Sequence, residues 1–159
     1  MNTPLNVVAE DLLRRLVARD ETLATAESLT GGLLAATIVD VAGASNAYRG
    51  GLVVYATDLK ASLAGVPTPL LDSHGPVDPS VAAALAAGAR ERCHADWGLA
   101  TTGVAGPDPQ GGQPVGRVYV AVAGPEGSDV RQLDLSGDRS QIRREAVDAA
   151  LELLGKVLP

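Results

Sequence analysis

Hydrophobic and polar positions change period repeatedly along this chain of 159 residues, and each change marks an element. Between Asn6 and Ala18, the residues Val8, Leu12, Leu13, Leu16 and Val17 recur at helical spacing, with Glu10, Asp11, Arg14 and Arg15 largely opposite. That spacing predicts an amphipathic first helix. Thr22 to Ala26 reads as a short strand, and Gly31 to Val41 as a second helix that stops before Gly43. Gly51-Leu52-Val53-Val54-Tyr55-Ala56 is nearly continuous in its apolar character, the pattern of a strand covered on both faces. Thr57 or Asp58 caps a short helix reaching Leu63, after which the prolines and glycines between Gly65 and Pro79 predict an irregular connection.

Asp78-Pro79 then supplies a cap and a first-turn proline for an Ala-rich helix running to about His94. Leu99 to Thr102 is a further buried strand, and Gly103 to Pro114 is a loop rich in glycine and proline. Val118, Val120 and Val122 alternate with Arg117, Tyr119 and Ala121, which predicts a strand with two distinct faces. Val130 to Leu135 is its hairpin partner across Gly124-Pro125-Glu126-Gly127. A last helix, Arg139 to about Leu158, buries Ile142, Ala146, Ala149, Ala150, Leu153 and Val157. The order α-β-α-β-α-α-β-β-β-α predicts an α/β fold, a three-layer α/β/α sandwich around a mixed, mostly parallel sheet of about five strands. Ligand sites in such sheets collect beyond the carboxyl ends of the strands, where Ser28, Tyr55 and the loop after Thr102 fall.

Composition narrows this picture. The length suits one domain, and a chain that is 46% hydrophobic with no Phe, one Trp and three Tyr builds its core from aliphatic side chains. A formal charge of −6 argues against nucleic acid or an anionic membrane as partner. Cys93, the single cysteine, leaves no internal disulfide, so a reducing, cytoplasmic setting is expected. The stretch Met1 to Asp11 lacks a basic region followed by an apolar one, and no run approaches the ~18 apolar residues of a membrane helix. Neither export nor membrane insertion is expected. The Ala- and Val-rich helices offer a small-residue surface on which another protein surface can pack.

Candidate chemistry centres on Ser28-Leu29-Thr30-Gly31-Gly32, where a strand-like run gives way to a helix-like one. By local rules Ser28 is a helix cap; the same geometry also suits a nucleophile beside free backbone N–H groups. His74 and His94 stand in unrelated contexts and Cys93-His94 has no second pair at ligand spacing, so no metal and no cofactor are expected. Gly103-Val104-Ala105-Gly106-Pro107-Asp108 lacks the Gly-x-Gly-x-x-Gly spacing of a dinucleotide loop, leaving a substrate loop or a plain surface connection. A Ser-His-Asp arrangement needs a histidine near a strand end, and neither histidine is obviously there. Ser28 with Lys60 is the other option, although a lone lysine on a short helix reads locally as a solvated one.

Taken in order, several motifs resemble the C-terminal domain family of the competence/damage-inducible protein CinA. They are Ala26-Glu27-Ser28-Leu29-Thr30-Gly31-Gly32, Gly50 to Ala56 with Lys60, His74-Gly75, Thr102 to Pro107, Pro114-Val115-Gly116, and Gly137-Asp138-Arg139 with Ile142-Arg143. The resemblance spans about residues 5 to 157. It implies a nicotinamide-nucleotide amidase that hydrolyses nicotinamide mononucleotide to nicotinate mononucleotide and ammonia, in pyridine nucleotide salvage. It further implies a catalytic set of Ser28, Tyr55 and Lys60, and self-association into a homo-oligomer, a dimer or higher. Substrate contacts implied by the resemblance fall on Thr102, on Gly103 and Gly106 of the following loop, and on Arg143, with Arg139 a second candidate for the arginine. In that reading the N–H groups around Thr30, Gly31 and Gly32 hold the oxyanion. The chain departs from the family pattern at Leu29, where cysteine is usual, and over the loop 108–113. Two other readings stay open: a non-catalytic nucleotide-binding or interaction module, and an amidase for a different carboxamide.

Overall fold

A computed structural model describes residues 5–159, so residues 1–4, part of the stretch read above for a leader, lie outside the described residues. The chain runs α1 (Leu5–Ala18), β1 (Leu23–Glu27), α2 (Leu33–Val39), a short 3-10 turn (Ala44–Asn46), β2 (Tyr48–Val53), α3 (Thr57–Ser62) and α4 (Thr68–His74). It continues with α5 (Pro79–Arg92), β3 (Trp97–Gly103), β4 (Arg117–Gly124), β5 (Gly127–Asp134) and α6 (Arg139–Val157). The strands form one sheet in the order β2-β1-β3-β4-β5. β1 is parallel to β2 and to β3, while β4 is antiparallel to both of its neighbours, so four strands share one direction and β4 alone opposes them. The expected mixed α/β/α sandwich is the fold observed.

Side-chain size sorts the two faces of the sheet. Leu23, Leu99, Val118, Val120 and Val122 point into a core shared with α1, α2 and α6. Their neighbours Ala24, Ala26, Ala100, Ala121 and Ala123 face the other core, shared with α5 and the segments carrying Ala64, Val66 and Leu71. Small side chains on that second face let α5 approach the sheet closely, the fit that a Phe-free, Ala-rich composition favours. No described helix is long and apolar enough to cross a membrane.

Three details differ from the sequence reading. The connection 65–79 holds a regular helix, α4, because Pro67 precedes it and Pro69 stands in its first turn, where a missing N–H costs nothing. β2 is an edge strand whose positions alternate half-buried and exposed, not one covered on both faces. The apolar run of residues 51–56 outlasts the strand: Val54 is buried beyond its end, and Tyr55 turns outward. Finally, α2 starts at Leu33 with Gly32 at its cap, so Ser28 is not a helix cap.

Candidate active site

The carboxyl ends of β1, β2 and β3 lie side by side, and the segments leaving them converge on a cavity of about 360 Å³. Ser28 follows β1 directly; its N–H donates to the Thr101 carbonyl (3.0 Å), which continues the sheet register past the strand end. The chain leaving β2 is held by Val54 N–H donating to the Glu27 carbonyl (2.8 Å), and it then enters α3, which carries Lys60. Strand pairing thus brings together two segments far apart in sequence.

Lys60 is 1% exposed. Its Nζ donates to Ser28 Oγ (2.9 Å), to the Val54 carbonyl (2.8 Å) and to the Tyr55 carbonyl (3.2 Å). All three partners are neutral oxygens. Burial away from water disfavours the ammonium form, and the amine is lowered from its ordinary 10.5 to about 8. The local expectation of a solvated lysine is therefore overturned: α3 turns Lys60 inward under the β2 exit, where two main-chain carbonyls and the Ser28 hydroxyl replace water.

Tyr55 is 61% exposed and lines the cavity, but its hydroxyl accepts a hydrogen bond from Arg139 Nη2 (3.2 Å) rather than meeting Ser28. Arg139, at the first turn of α6, also donates through Nη1 to the Gly106 carbonyl. It therefore bridges the Tyr55 rim and the loop after β3 across the cavity mouth. Thr102 is buried, lines the cavity, and donates through Oγ1 to the Pro76 carbonyl (2.7 Å). Gly103 and Gly106 lie on the cavity wall as well. Gly106 adopts φ +89°, and a Cβ there would come within 2.7 Å of Val115, so this wall requires glycine.

Four of the expected residues stand elsewhere. Thr30, Gly31, Gly32 and Arg143 do not line the cavity. Gly31 N–H is engaged by the Ser28 carbonyl (3.0 Å), and Arg143 donates Nε to the Leu29 carbonyl (2.9 Å) and Nη2 to the Thr30 carbonyl (3.0 Å). Arg143 holds the turn after Ser28 from outside. The cavity-lining amides without a backbone acceptor include the Leu29, Ala105 and Gly106 N–H groups, together with those of Tyr55, Val77 and Asp108. Of the altered loop, Asp108, Pro109 and Gln110 reach the rim.

Sequence reasoning missed Glu27. Its side chain is 1% exposed and accepts from Thr30 Oγ1 (2.6 Å), Leu34 N–H (2.8 Å) and Ala35 N–H (3.0 Å). A carboxylate just ahead of a helix start was the available signal, since acidic groups favour that end.

A hydroxyl held against a buried amine of lowered proton affinity, in a cavity that Arg139 also lines, is an arrangement in which the amine can accept the hydroxyl proton. The profile of the CinA C-terminal domain matches residues 5–158. The chain belongs to the CinA C-terminal domain family. Among CinA relatives, the CinA-like protein of Frankia casuarinae is 54% identical over 147 residues, covering 92% of this chain and 34% of its own length. The CinA-like protein of Mycolicibacterium paratuberculosis is 46% identical over 157 residues, covering 94% of this chain and 36% of its own. The chain thus spans about a third of the length of the curated CinA relatives it matches. Among solved structures, a CinA superfamily protein of Escherichia coli superposes with a TM-score of 0.94 at 31% identity, covering 98% of this chain and 91% of the other. The competence/damage inducible protein CihA of Agrobacterium tumefaciens gives 0.92 at 32% identity, covering 98% of both chains.

Proposed function

We propose that this CinA-family domain is a nicotinamide mononucleotide amidase, releasing nicotinate mononucleotide and ammonia. The observation that carries the proposal is the 2.9 Å contact between Lys60 Nζ and Ser28 Oγ in a cavity wide enough for a nucleotide. An amine lowered to about 8 is partly neutral near physiological pH and fit to accept a proton.

In this reading neutral Lys60 takes the Ser28 proton as Oγ attacks the carboxamide carbon. Because Ser28 N–H and Gly31 N–H are already engaged, the oxyanion falls to amides that line the cavity, and Leu29, Ala105 and Gly106 are among the unengaged ones. One such donor is commonly worth about 3 kcal/mol in the transition state. The carbon–nitrogen bond breaks, and Lys60 returns its proton to the departing ammonia. Water then attacks the acyl-enzyme; its proton passes through Lys60 back to Ser28, and the acid product leaves. Arg139 is the cation facing the cavity apart from Lys60 among the described residues, and it receives the 5′-phosphate. Tyr55, bonded to Arg139, forms the rim on that side.

The test is ammonia release from nicotinamide mononucleotide, compared with nicotinamide riboside and free nicotinamide. The wild type is expected to turn over the mononucleotide best. Its kcat/KM rises with pH to a plateau, half-maximal near the Lys60 value of about 8, because only the neutral amine is a base. Ser28→Ala and Lys60→Ala abolish release. Turnover by Ser28→Ala at the wild-type rate removes the nucleophile assignment; tight binding without ammonia from the wild type makes the domain a binding module.

A further inference from the structure

Glu27 is a buried carboxylate that the proposed reaction does not use. No lysine, arginine or histidine nitrogen lies within ion-pair distance of it among the described residues. A carboxylate taken out of water without a cation is costly, and hydrogen-bond donors must offset that cost. Three do. The Ala35 N–H donates to Oε2, while Thr30 Oγ1 and the Leu34 N–H both donate to Oε1. Thr30 has one hydroxyl proton and gives it to Glu27, so in the Thr30–Thr101 contact (2.7 Å) it is Thr101 Oγ1 that donates to Thr30 Oγ1. The chain of bonds is directional and runs from β3 through the turn to Glu27.

Capping alone does not account for this. Elsewhere the chain caps α5 and α6 with Asp78 and Asp138, each bonded to N–H groups two or three residues away. Glu27 instead reaches across separations of seven and eight residues to Leu34 and Ala35. Its carboxylate closes a ring around the segment 28–32, with Ser28 as the first member and Thr30 tied at the centre. Arg143 holds the same turn from the opposite side through the Leu29 and Thr30 carbonyls.

We infer that Glu27 is the positioning residue of the nucleophile: its carboxylate locks the turn 28–32 against β3 and α2 and so holds Ser28 Oγ within reach of Lys60 Nζ. The inference rests on the proposed role of Ser28. Glu27 touches neither the cavity nor the reacting atoms, so it acts through the turn alone. In Glu27→Gln the amide nitrogen replaces one acceptor, and a donor then faces either Ala35 N–H or the Thr30–Leu34 pair. One edge of the ring opens while side-chain volume is kept.

The experiment is covalent labelling of Ser28 in the full chain by a small fluorophosphonate, followed by intact mass and separated into affinity for the reagent and rate of bond formation. For Glu27→Gln we expect bond formation slower by about 10- to 100-fold, the range a displaced nucleophile commonly shows, with reagent affinity and the pH midpoint set by Lys60 unchanged. A purely structural carboxylate lowers thermal stability yet leaves the rate per folded molecule alone, so wild-type labelling by a folded Glu27→Gln overturns the inference. Should Glu27→Gln fail to fold, Thr30→Val removes only the hydroxyl link; it must label slowly and Thr30→Ser must restore the rate, and wild-type labelling by Thr30→Val overturns the inference equally. A wild type that is never labelled at Ser28 overturns the nucleophile reading itself, and this inference with it.

Discussion

A lysine whose partners are all neutral oxygens is costly to keep protonated, and Lys60 carries that cost into the stability of the fold. Its amine binds a proton more weakly when folded, at about 8 against an ordinary 10.5. Below about pH 8 folded and unfolded chains are both protonated there and the full cost is present; between the two values the unfolded chain binds more protons, so stability rises with pH. The wild type should therefore gain on the order of 3 kcal/mol relative to Lys60→Met between about pH 7 and 10, read from urea melts at each pH. The two arginines of α6 separate in the same way by what they touch. Arg139→Ala, at the cavity mouth, should raise KM for the mononucleotide about tenfold with kcat little changed; Arg143→Ala, behind the turn, should lower kcat instead. Steady-state kinetics on both variants decides. The resemblance to the CinA family, carried by motifs in family order, made Ser28, Lys60 and both arginines visible in the sequence. Which arginine faces the cavity was not visible, because two positions four apart on a helix differ only in what the rest of the fold places beside each.

Helix starts decide how the site is assembled. α6 opens on a capping box in which Asp138 accepts from Gln141 N–H (2.8 Å) and Gln141 Oε1 accepts from Asp138 N–H (2.9 Å). Asp138→Ala should cost about 1 kcal/mol, lowering Tm by about 3 °C. Because Arg139 is the next residue, the same change should also raise KM, whereas Asp138→Asn should retain most of both. The corresponding cap of α5, Asp78 followed by Pro79, was legible in sequence because both residues act within one turn. The start of α2 was not. Its N–H groups are served by Glu27 from the end of the preceding strand, and a partner seven or eight residues away lies outside the spacing that local rules inspect. α4 escaped for a related reason: its prolines signal a break, but at the first turn they are compatible with a helix.

Across the whole molecule, the sandwich depends on α5 lying very close to the sheet. A Cβ at Gly98 of β3 would stand 1.9 Å from the Ala86 carbonyl oxygen and 3.0 Å from Arg90 N, both main-chain atoms of α5 that cannot move without the helix. Gly98→Ala should cost about 3 kcal/mol, seen as a lower urea midpoint with an unchanged slope. The loss belongs to the layer contact, since Gly98 is far from the cavity at the other end of its strand. Sequence by itself determined the five strands and their order, every α-helix except α4, the sandwich class and the family, because hydrophobic period and motif order are properties of the chain alone. Tertiary structure alone decided that β2 lies at the sheet edge, that Lys60 is buried rather than solvated, and that Glu27 closes the turn on which Ser28 sits. The physical reason is common to all three: burial and hydrogen-bond partners depend on which segments the sheet sets side by side, and the β1–β2 and β1–β3 pairings join residues far apart along the chain.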